Sequence, residues 1–296
     1  MDVPSDLAKL SHGLKQQGYV ADEQTLQVLQ YSLFLNKPIL VEGPAGAGKT
    51  ELAKAWSRFM GRTLIRLQCY EGIDEAKALY EWNYQKQLLY IQSQGADTKI
   101  LSATGRNIYT EEFLLARPLL QAIRQTSPAV LLIDEIDKSD EEFESFLLEV
   151  LSDWQVSIPE TGTVSAVTIP SVILTSNSTR NLSNALRRRC LYLYLDYPDT
   201  ERELDILRLH FSALNEKLGR RIVAFVRKLR LEKLKKHPSI SEVLDWTAAL
   251  TGMGAETLTA DLSLETLNIL IKQHEDGLRI TERIRDKDWF DGISDS

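Results

Sequence analysis

Cysteine is nearly absent from this chain of 296 residues, which contains two. Cys69 and Cys190 stand far apart and in no Cys-x-x-Cys or His-linked spacing. That excludes a disulfide framework and a zinc-finger type of site, and leaves two reduced thiols as the plain expectation. Long apolar runs are missing too: none approaches the roughly 20 residues that a membrane-spanning helix needs. The opening stretch MDVPSDLAKLSHGL has no basic flank followed by an apolar segment, so no secretory leader is expected and the chain is read as cytoplasmic. Positive charge is in deficit, with 35 Lys and Arg against 42 Asp and Glu and a net charge of −7. That balance counts against a protein whose main work is gripping nucleic-acid phosphates. Internal repeats and low-complexity segments are also lacking.

What remains is ordinary globular material, 43% hydrophobic, with clear periodicity. Leu26, Leu29, Leu33 and Phe34 recur at helical spacing between Asp22 and Leu35, and Ile39 to Val41 forms a short apolar strand that runs into glycines. A helix is predicted from Lys49 to about Met60. Four further β-rich runs follow: TLIRLQC, PAVLLIDEID, PSVILTSN and CLYLYLDYP. Strands separated by helices predict an α/β fold, a mostly parallel sheet with helices on both faces. Between the second and third strands lies a long insertion, Tyr70 to Ser127, in which DEAKALYEWNYQKQLLYIQSQ reads as one helix and GADTKILSATGRN as a polar loop. QVSIPETGTVSAVTI reads as a hairpin turning at Pro159, Glu160, Thr161 and Gly162. After Pro198 only helical patterns recur. The expected domains are 1–196 for the sheet core and 197–285 for an all-helical unit, with 286–296 a flexible tail.

The chemistry begins at Gly43-Pro44-Ala45-Gly46-Ala47-Gly48-Lys49-Thr50, followed by Glu51. It fits GxxxxGK[ST] and sits between a predicted strand and a predicted helix, as a phosphate-binding loop requires. Glycines let the backbone N–H groups turn toward phosphate oxygens, and the helix amino terminus adds positive potential. Lys49 reaches the outer phosphates and Thr50 can ligate magnesium. Asp134 and Glu135 close the apolar strand LLID, where ligands of open α/β sheets gather. Asp134 is suited to hold magnesium through water and Glu135 to polarise an attacking water. Asn177 ends the SVILTSN strand, either to help orient that water or simply as a turn residue. Arg187, Arg188 and Arg189 end a helix, where they either offset its dipole or face a partner.

Together the phosphate loop, the DE strand, the TSN strand, the arginine-ending helix and the helical tail resemble an AAA+ ATPase. The placement of the insertion and hairpin, with PSISEVLDW, is similar to the MoxR branch. The resemblance implies a P-loop αβα core followed by a smaller helical lid, with ATP and Mg2+ as ligands. It makes Lys49 and Thr50 the phosphate and magnesium contacts, Asp134 the magnesium holder, Glu135 the catalytic base and Asn177 the sensor. Tyr19 and Val20 would border the adenine, and Gln68 either stands where such proteins place a polar residue that can hold the catalytic glutamate inactive or is an ordinary strand-end glutamine.

In such rings the helix after the TSN strand supplies an arginine to the neighbouring subunit's nucleotide. A planar, permanently charged fork suits that task. Consecutive helical residues point about 100° apart, so Arg189, then Arg188, are the finger candidates and Arg187 is left to solvent or interface. A second sensor arginine is missing where Glu242 stands; Ser239 and Glu242 instead form a capping box, and Arg180 or a neighbour is the alternative source. The implied function is ATP-driven, chaperone-like remodelling by a ring, a hexamer, in maturation or metal-cofactor insertion of a client enzyme, with a von Willebrand factor A domain partner. The alternatives are a nucleic-acid-linked motor or loader and a nucleotide-switched scaffold. RRIVAFVRKLRLEKLKK, whose Ile222, Val223, Val226 and Leu229 share one face, reads as an amphipathic lid helix and not as a nucleic-acid contact.

Overall fold

The computed structural model describes residues 6–93, 108–159, 162–286 and 289–290. The polar loop expected at 95–107 and the hairpin's Glu160 and Thr161 lie outside them. Helices α1 (Leu7–Gln16) and α2 (Glu23–Leu35) precede strand β1 (Ile39–Glu42), which leads through the glycine-rich loop to α3 (Lys49–Met60) and β2 (Leu64–Gln68). The insertion holds α4 (Glu75–Ala78), β3 (Tyr80–Trp82), α5 (Tyr84–Ser93), β4 (Leu114–Ala116) and α6 (Pro118–Ile123). Then come β5 (Val130–Asp134), α7 (Glu141–Asp153), β6 (Gln155–Ile158), β7 (Gly162–Ser165), β8 (Ser171–Ser176), α8 (Asn184–Arg189) and β9 (Leu191–Tyr194). The remainder is helical: α9 (Thr200–His210), α10 (Glu216–Leu231), α11 (Ile240–Gly252), α12 (Ala260–Glu265), α13 (Leu267–Leu270) and α14 (His274–Arg285).

The chain divides into two compact units. One comprises Glu23–Glu42 and Thr50–Tyr194 with the first residues; the other comprises Ala8–Asp22, Gly43–Lys49 and everything from Leu195 onward. The phosphate loop and the segment before α2 thus group with the helical residues, which no reading of 1–196 as one block anticipates.

In the first unit a five-stranded parallel sheet runs β2-β5-β8-β1-β9. Every residue of β1 and β5 is buried, as expected of parallel strands covered on both faces. Leu119, Leu120 and Ile123 of α6 and Phe143, Leu147 and Val150 of α7 join Leu131, Ile133, Val172 and Leu174 in one core. Each such side chain contributes about 1.5–3 kcal/mol of burial.

The expected single helix over 74–94 is broken. Tyr80–Trp82 is a strand pairing antiparallel with β4, Trp82 opposite Leu114. Two caps explain the interruption: Asp74 accepts from Lys77 N, and Asn83 Oδ1 accepts from Lys86 N at 2.9 Å. The aromatic, alternating Tyr-Glu-Trp between them favours a strand. The hairpin is observed as β6 and β7, with Ile158 opposite Gly162.

In the second unit α10 buries Ile222, Val223, Phe225, Val226 and Leu229 against Leu204 and Leu207 of α9, Trp246 of α11 and Ile280 of α14. This is the amphipathic helix that the apolar spacing predicts. Arg230, at its end, forks onto the buried Glu203 at 2.9 and 3.0 Å. Within the tail expected from 286 onward, Trp289 and Phe290 are buried and pack at ring distances of 5.8 and 6.3 Å from Phe225. Two adjacent large aromatics outweigh the polar residues around them.

Candidate functional site

In the sheet unit, strand register assembles the site. Gln68 is the lateral partner of Asp134, and Ile133 that of Leu174. Gln68, Asp134 and Thr175 therefore stand abreast at the carboxyl ends of β2, β5 and β8, where open α/β sheets bind ligands. Asp134 is buried, so its carboxylate requires partners. Thr50 Oγ1, from the first turn of α3, lies 3.1 and 3.2 Å from its two oxygens, and Thr175 Oγ1 donates to Oδ1 at 2.5 Å. Arg66 donates to Oδ2 from Nε at 3.0 Å and from Nη2 at 2.6 Å.

Glu135 turns out of the strand with φ of 57°, a left-handed conformation that a non-glycine residue adopts at a cost of roughly 1–2 kcal/mol. Its N–H donates to Thr175 Oγ1 at 2.9 Å, so one hydroxyl receives from Glu135 and donates to Asp134. The Glu135 carboxylate accepts from Gln68 Nε2 at 2.8 Å and pairs with Lys138 at 2.7 Å. Gln68, which the resemblance implied as a residue able to hold the glutamate, is thus in contact with it. Asn177 directly follows β8. Nearby, burial works against the charge of Asp137, but hydrogen bonds from the side chain and backbone of Thr179 prevail and hold it below the ordinary carboxylate value. Glu51 lies outside this cluster, paired along its helix with Arg58 at 2.8 Å and Lys54 at 3.3 Å.

The three arginines separate. Arg187, left to solvent or interface by the sequence, instead forks onto buried Glu42 at 2.7 and 3.1 Å. Arg188 and Arg189 are exposed, and their side chains have no hydrogen bond or ion pair among the described residues. Arg180, a candidate second sensor, donates to Ser139 O at 2.7 Å and to buried Glu144.

In the helical unit the loop is built by close approach. A Cβ on Gly43, at φ of 152°, would fall 1.9 Å from Leu195 O, and one on Gly46, at φ of 78°, would fall 2.1 Å from Ser239 Cβ. Only glycine fits both conformation and space. Ala45 O accepts from Tyr197 Oη at 3.2 Å and Gly46 O from Ile240 N at 3.2 Å. Lys49 folds back, its ammonium 2.7 and 2.8 Å from Gly43 O and Pro44 O. Tyr19 is buried, its ring 3.8 Å from where a Gly48 Cβ would stand, and Val20 O accepts from Arg202 Nε at 3.1 Å. Ser239 and Glu242 form the expected capping box at the start of α11.

Sequence reasoning missed Arg66, Thr175 as a bridge, and Tyr197. The signal for Arg66 was present in LIRLQ, where Arg66 and Gln68 alternate with buried residues and share one strand face. Among the described residues no group of three or more His, Cys, Asp or Glu could cage a metal. A Thr hydroxyl beside an Asp carboxylate does fit magnesium, a hard cation that completes its shell with phosphate oxygens and water.

A GxxxxGK[ST] segment whose Thr50 hydroxyl meets a strand-end aspartate marks a P-loop nucleotide-binding protein. Residues 38–190 match the AAA domain family, dynein-related subfamily. The match spans more than half of the chain, which belongs to that family and is an ATPase of the AAA+ class. The chain is similar to the gas vesicle ATPase GvpN of Haloferax mediterranei, 23% identical over 276 residues covering 88% of this chain and 77% of that protein. It is also similar to an uncharacterized protein of Staphylococcus saprophyticus, 27% identical over 228 residues covering 75% of this chain and 78% of that one.

Proposed function

We propose that the chain hydrolyses ATP as one subunit of a ring, a hexamer of MoxR type, and uses the cycle to remodel a client enzyme during maturation or metal-cofactor insertion with a von Willebrand factor A domain partner. The observation that carries the hydrolytic reading is the row Gln68–Asp134–Thr175 with Glu135 at its head. In this reading the backbone of 43–49 and Lys49 hold the phosphates, and Tyr19 and Val20 border the adenine. Thr50 and Asp134 hold Mg2+, which neutralises phosphate charge when bound. Glu135 orients the attacking water and accepts its proton, Asn177 steadies that water, and Gln68 restrains Glu135 until it is needed. Arg189 or Arg188 serves a neighbouring subunit's nucleotide, a role supported by their exposure and by the lack of a partner for either among the described residues. Likeness to the gas vesicle ATPase supports the ATP-hydrolysing part of this reading.

The test is a pair of substitutions in the purified chain. Lys49→Ala is expected to lose nucleotide binding. Glu135→Gln is expected to bind ATP and to turn over at least ~100-fold more slowly, the usual worth of a positioned base. Normal turnover by Glu135→Gln defeats the assignment. The same variant, stalled with ATP, is the bait for the client and partner by co-purification.

A further inference from the structure

Resting on the reading of Asp134 as the magnesium holder, we propose that Arg66 is a positioning residue that couples divalent-cation binding at Asp134 to the release of Glu135, acting through Gln68. The three contacts are continuous. Arg66 forks onto Asp134 Oδ2, its Nη2 also donates to Gln68 Oε1, and Gln68 Nε2 donates to Glu135 Oε2 at 2.8 Å. Donor and acceptor chemistry leaves one orientation for the amide. A guanidinium only donates, so it must face the Gln68 oxygen, which turns the NH2 toward an ionised glutamate that only accepts. Arg66 thus selects the Gln68 conformation that restrains Glu135.

The same guanidinium is in conflict with a cation at the Thr50 and Asp134 oxygens. Thr50 Oγ1 lies 3.2 Å from the carboxylate oxygen that Arg66 holds, so a divalent ion shared by Thr50 and Asp134 meets the guanidinium at close range. Like charges at such distances repel appreciably even in a high dielectric. Arg66 can give way, because its side chain is 49% exposed while that of Asp134 is 3% exposed. On withdrawing, Arg66 leaves the Gln68 oxygen without its donor and the amide is no longer held against Glu135. The restraint on the base is therefore on while Arg66 occupies Asp134 and off once a cation replaces it there.

The experiment titrates MgCl2 into the full chain with mant-ADP, a fluorescent ADP, starting in EDTA. Arg66→Ala and Arg66→Gln both remove the competing charge and are expected to lower the half-saturating MgCl2 concentration roughly tenfold, with mant-ADP affinity in EDTA unchanged. Arg66→Lys keeps the charge but lacks the planar, fixed fork that reaches Asp134 Oδ2 and Gln68 Oε1 at once. It should titrate like the wild type yet match Gln68→Ala in basal turnover, with no additive effect when the two are combined. A magnesium midpoint unmoved within twofold in both neutral variants, or full additivity of Arg66→Lys with Gln68→Ala, overturns the coupling. Wild-type chain that binds no mant-ADP at any magnesium concentration overturns the reading of the site itself, and the coupling with it.

Discussion

Arg187→Ala is expected to destabilise the protein where Arg188→Ala and Arg189→Ala do not. Arg187 grips both oxygens of Glu42, and the Glu42 side chain is 5% exposed against 33% for the arginine. Removing one partner of a buried ion pair costs about 3–5 kcal/mol because the other charge stays behind unpaired. Two features reduce that figure. The arginine is a third exposed, so water enters where it was. Tyr192, whose phenol burial and a hydrogen bond to Glu42 push above its ordinary value, remains as a neutral donor. The net expectation is ~2 kcal/mol, a fall in melting temperature of about 4–8 °C for a unit of this size.

Calorimetry and urea unfolding of the three single variants near neutral pH measure the difference, with Arg188→Ala and Arg189→Ala expected within about 0.5 kcal/mol of wild type as exposed substitutions. Adding Glu42→Gln to Arg187→Ala should recover part of the loss, since an uncharged amide is cheaper to leave buried. If Arg187→Ala is as stable as Arg189→Ala, or if Glu42→Gln deepens the loss by its full separate cost, the pair does not hold the sheet end and the argument is wrong.

Thr175→Val removes the hydroxyl that serves both Asp134 and Glu135 N, and should slow hydrolysis at least tenfold while leaving nucleotide affinity within about threefold, as expected when a positioned base loses its support; equal losses in both would assign Thr175 to binding. Gly46→Ala forces a Cβ to 2.1 Å from Ser239 Cβ at a φ of 78°, so nucleotide binding should be lost, and Gly46→Ala combined with Ser239→Gly should recover only the part due to the clash. Burial, and for Cys69 also the charges of Asp134, Asp137 and Glu135, pushes both thiols from their ordinary 9.0 up to about 12. A disulfide reagent should therefore label neither in the folded chain and both in denaturant. The unfolded chain releases these protons first, so the stability due to the two thiols should be present below pH 9.0 and decline as pH rises toward about 12.

The parts of the fold legible in the sequence are those whose period is unambiguous. β1, α3 and the DE strand follow from short apolar runs and from a motif whose spacing demands a turn between strand and helix. Tyr80–Trp82 was not legible because its aromatic residues also fit a helical stripe, and the deciding signals were two short capping side chains, Asp74 and Asn83. Trp289 and Phe290 lay among acidic residues that suggest a loose end, and only their ring contacts with Phe225 show why they are buried. Lys49, Thr50, Asp134 and Glu135 could be singled out in the sequence because the proposed chemistry dictates residue type, and of these the structure brings Thr50 onto Asp134 and sets Asp134 and Glu135 on one hydroxyl, that of Thr175. The site was illegible where partners come from distant strands: nothing local in RRR distinguishes Arg187, whose acid lies 145 positions earlier.

Two buried acids at the same end of the sheet, Glu42 closing β1 and Asp134 closing β5, show how one kind of pair serves two purposes. Both are met by an arginine, and sequence alone gives no means of ranking them. Arg187 projects from a helix whose packing holds it, engages both oxygens of Glu42 and leaves neither vacant for another cation. Arg66 projects from the edge strand, holds one oxygen of Asp134, divides its donors with Gln68 and is half-exposed. The other Asp134 oxygen is already committed to hydroxyls, which a metal tolerates as neighbours and a second guanidinium does not. A fully engaged, helix-anchored pair resists exchange, whereas a one-sided, solvent-reachable pair invites it. Permanence at Glu42 and exchange at Asp134 therefore follow from how each arginine is held and not from the strength of either ion pair.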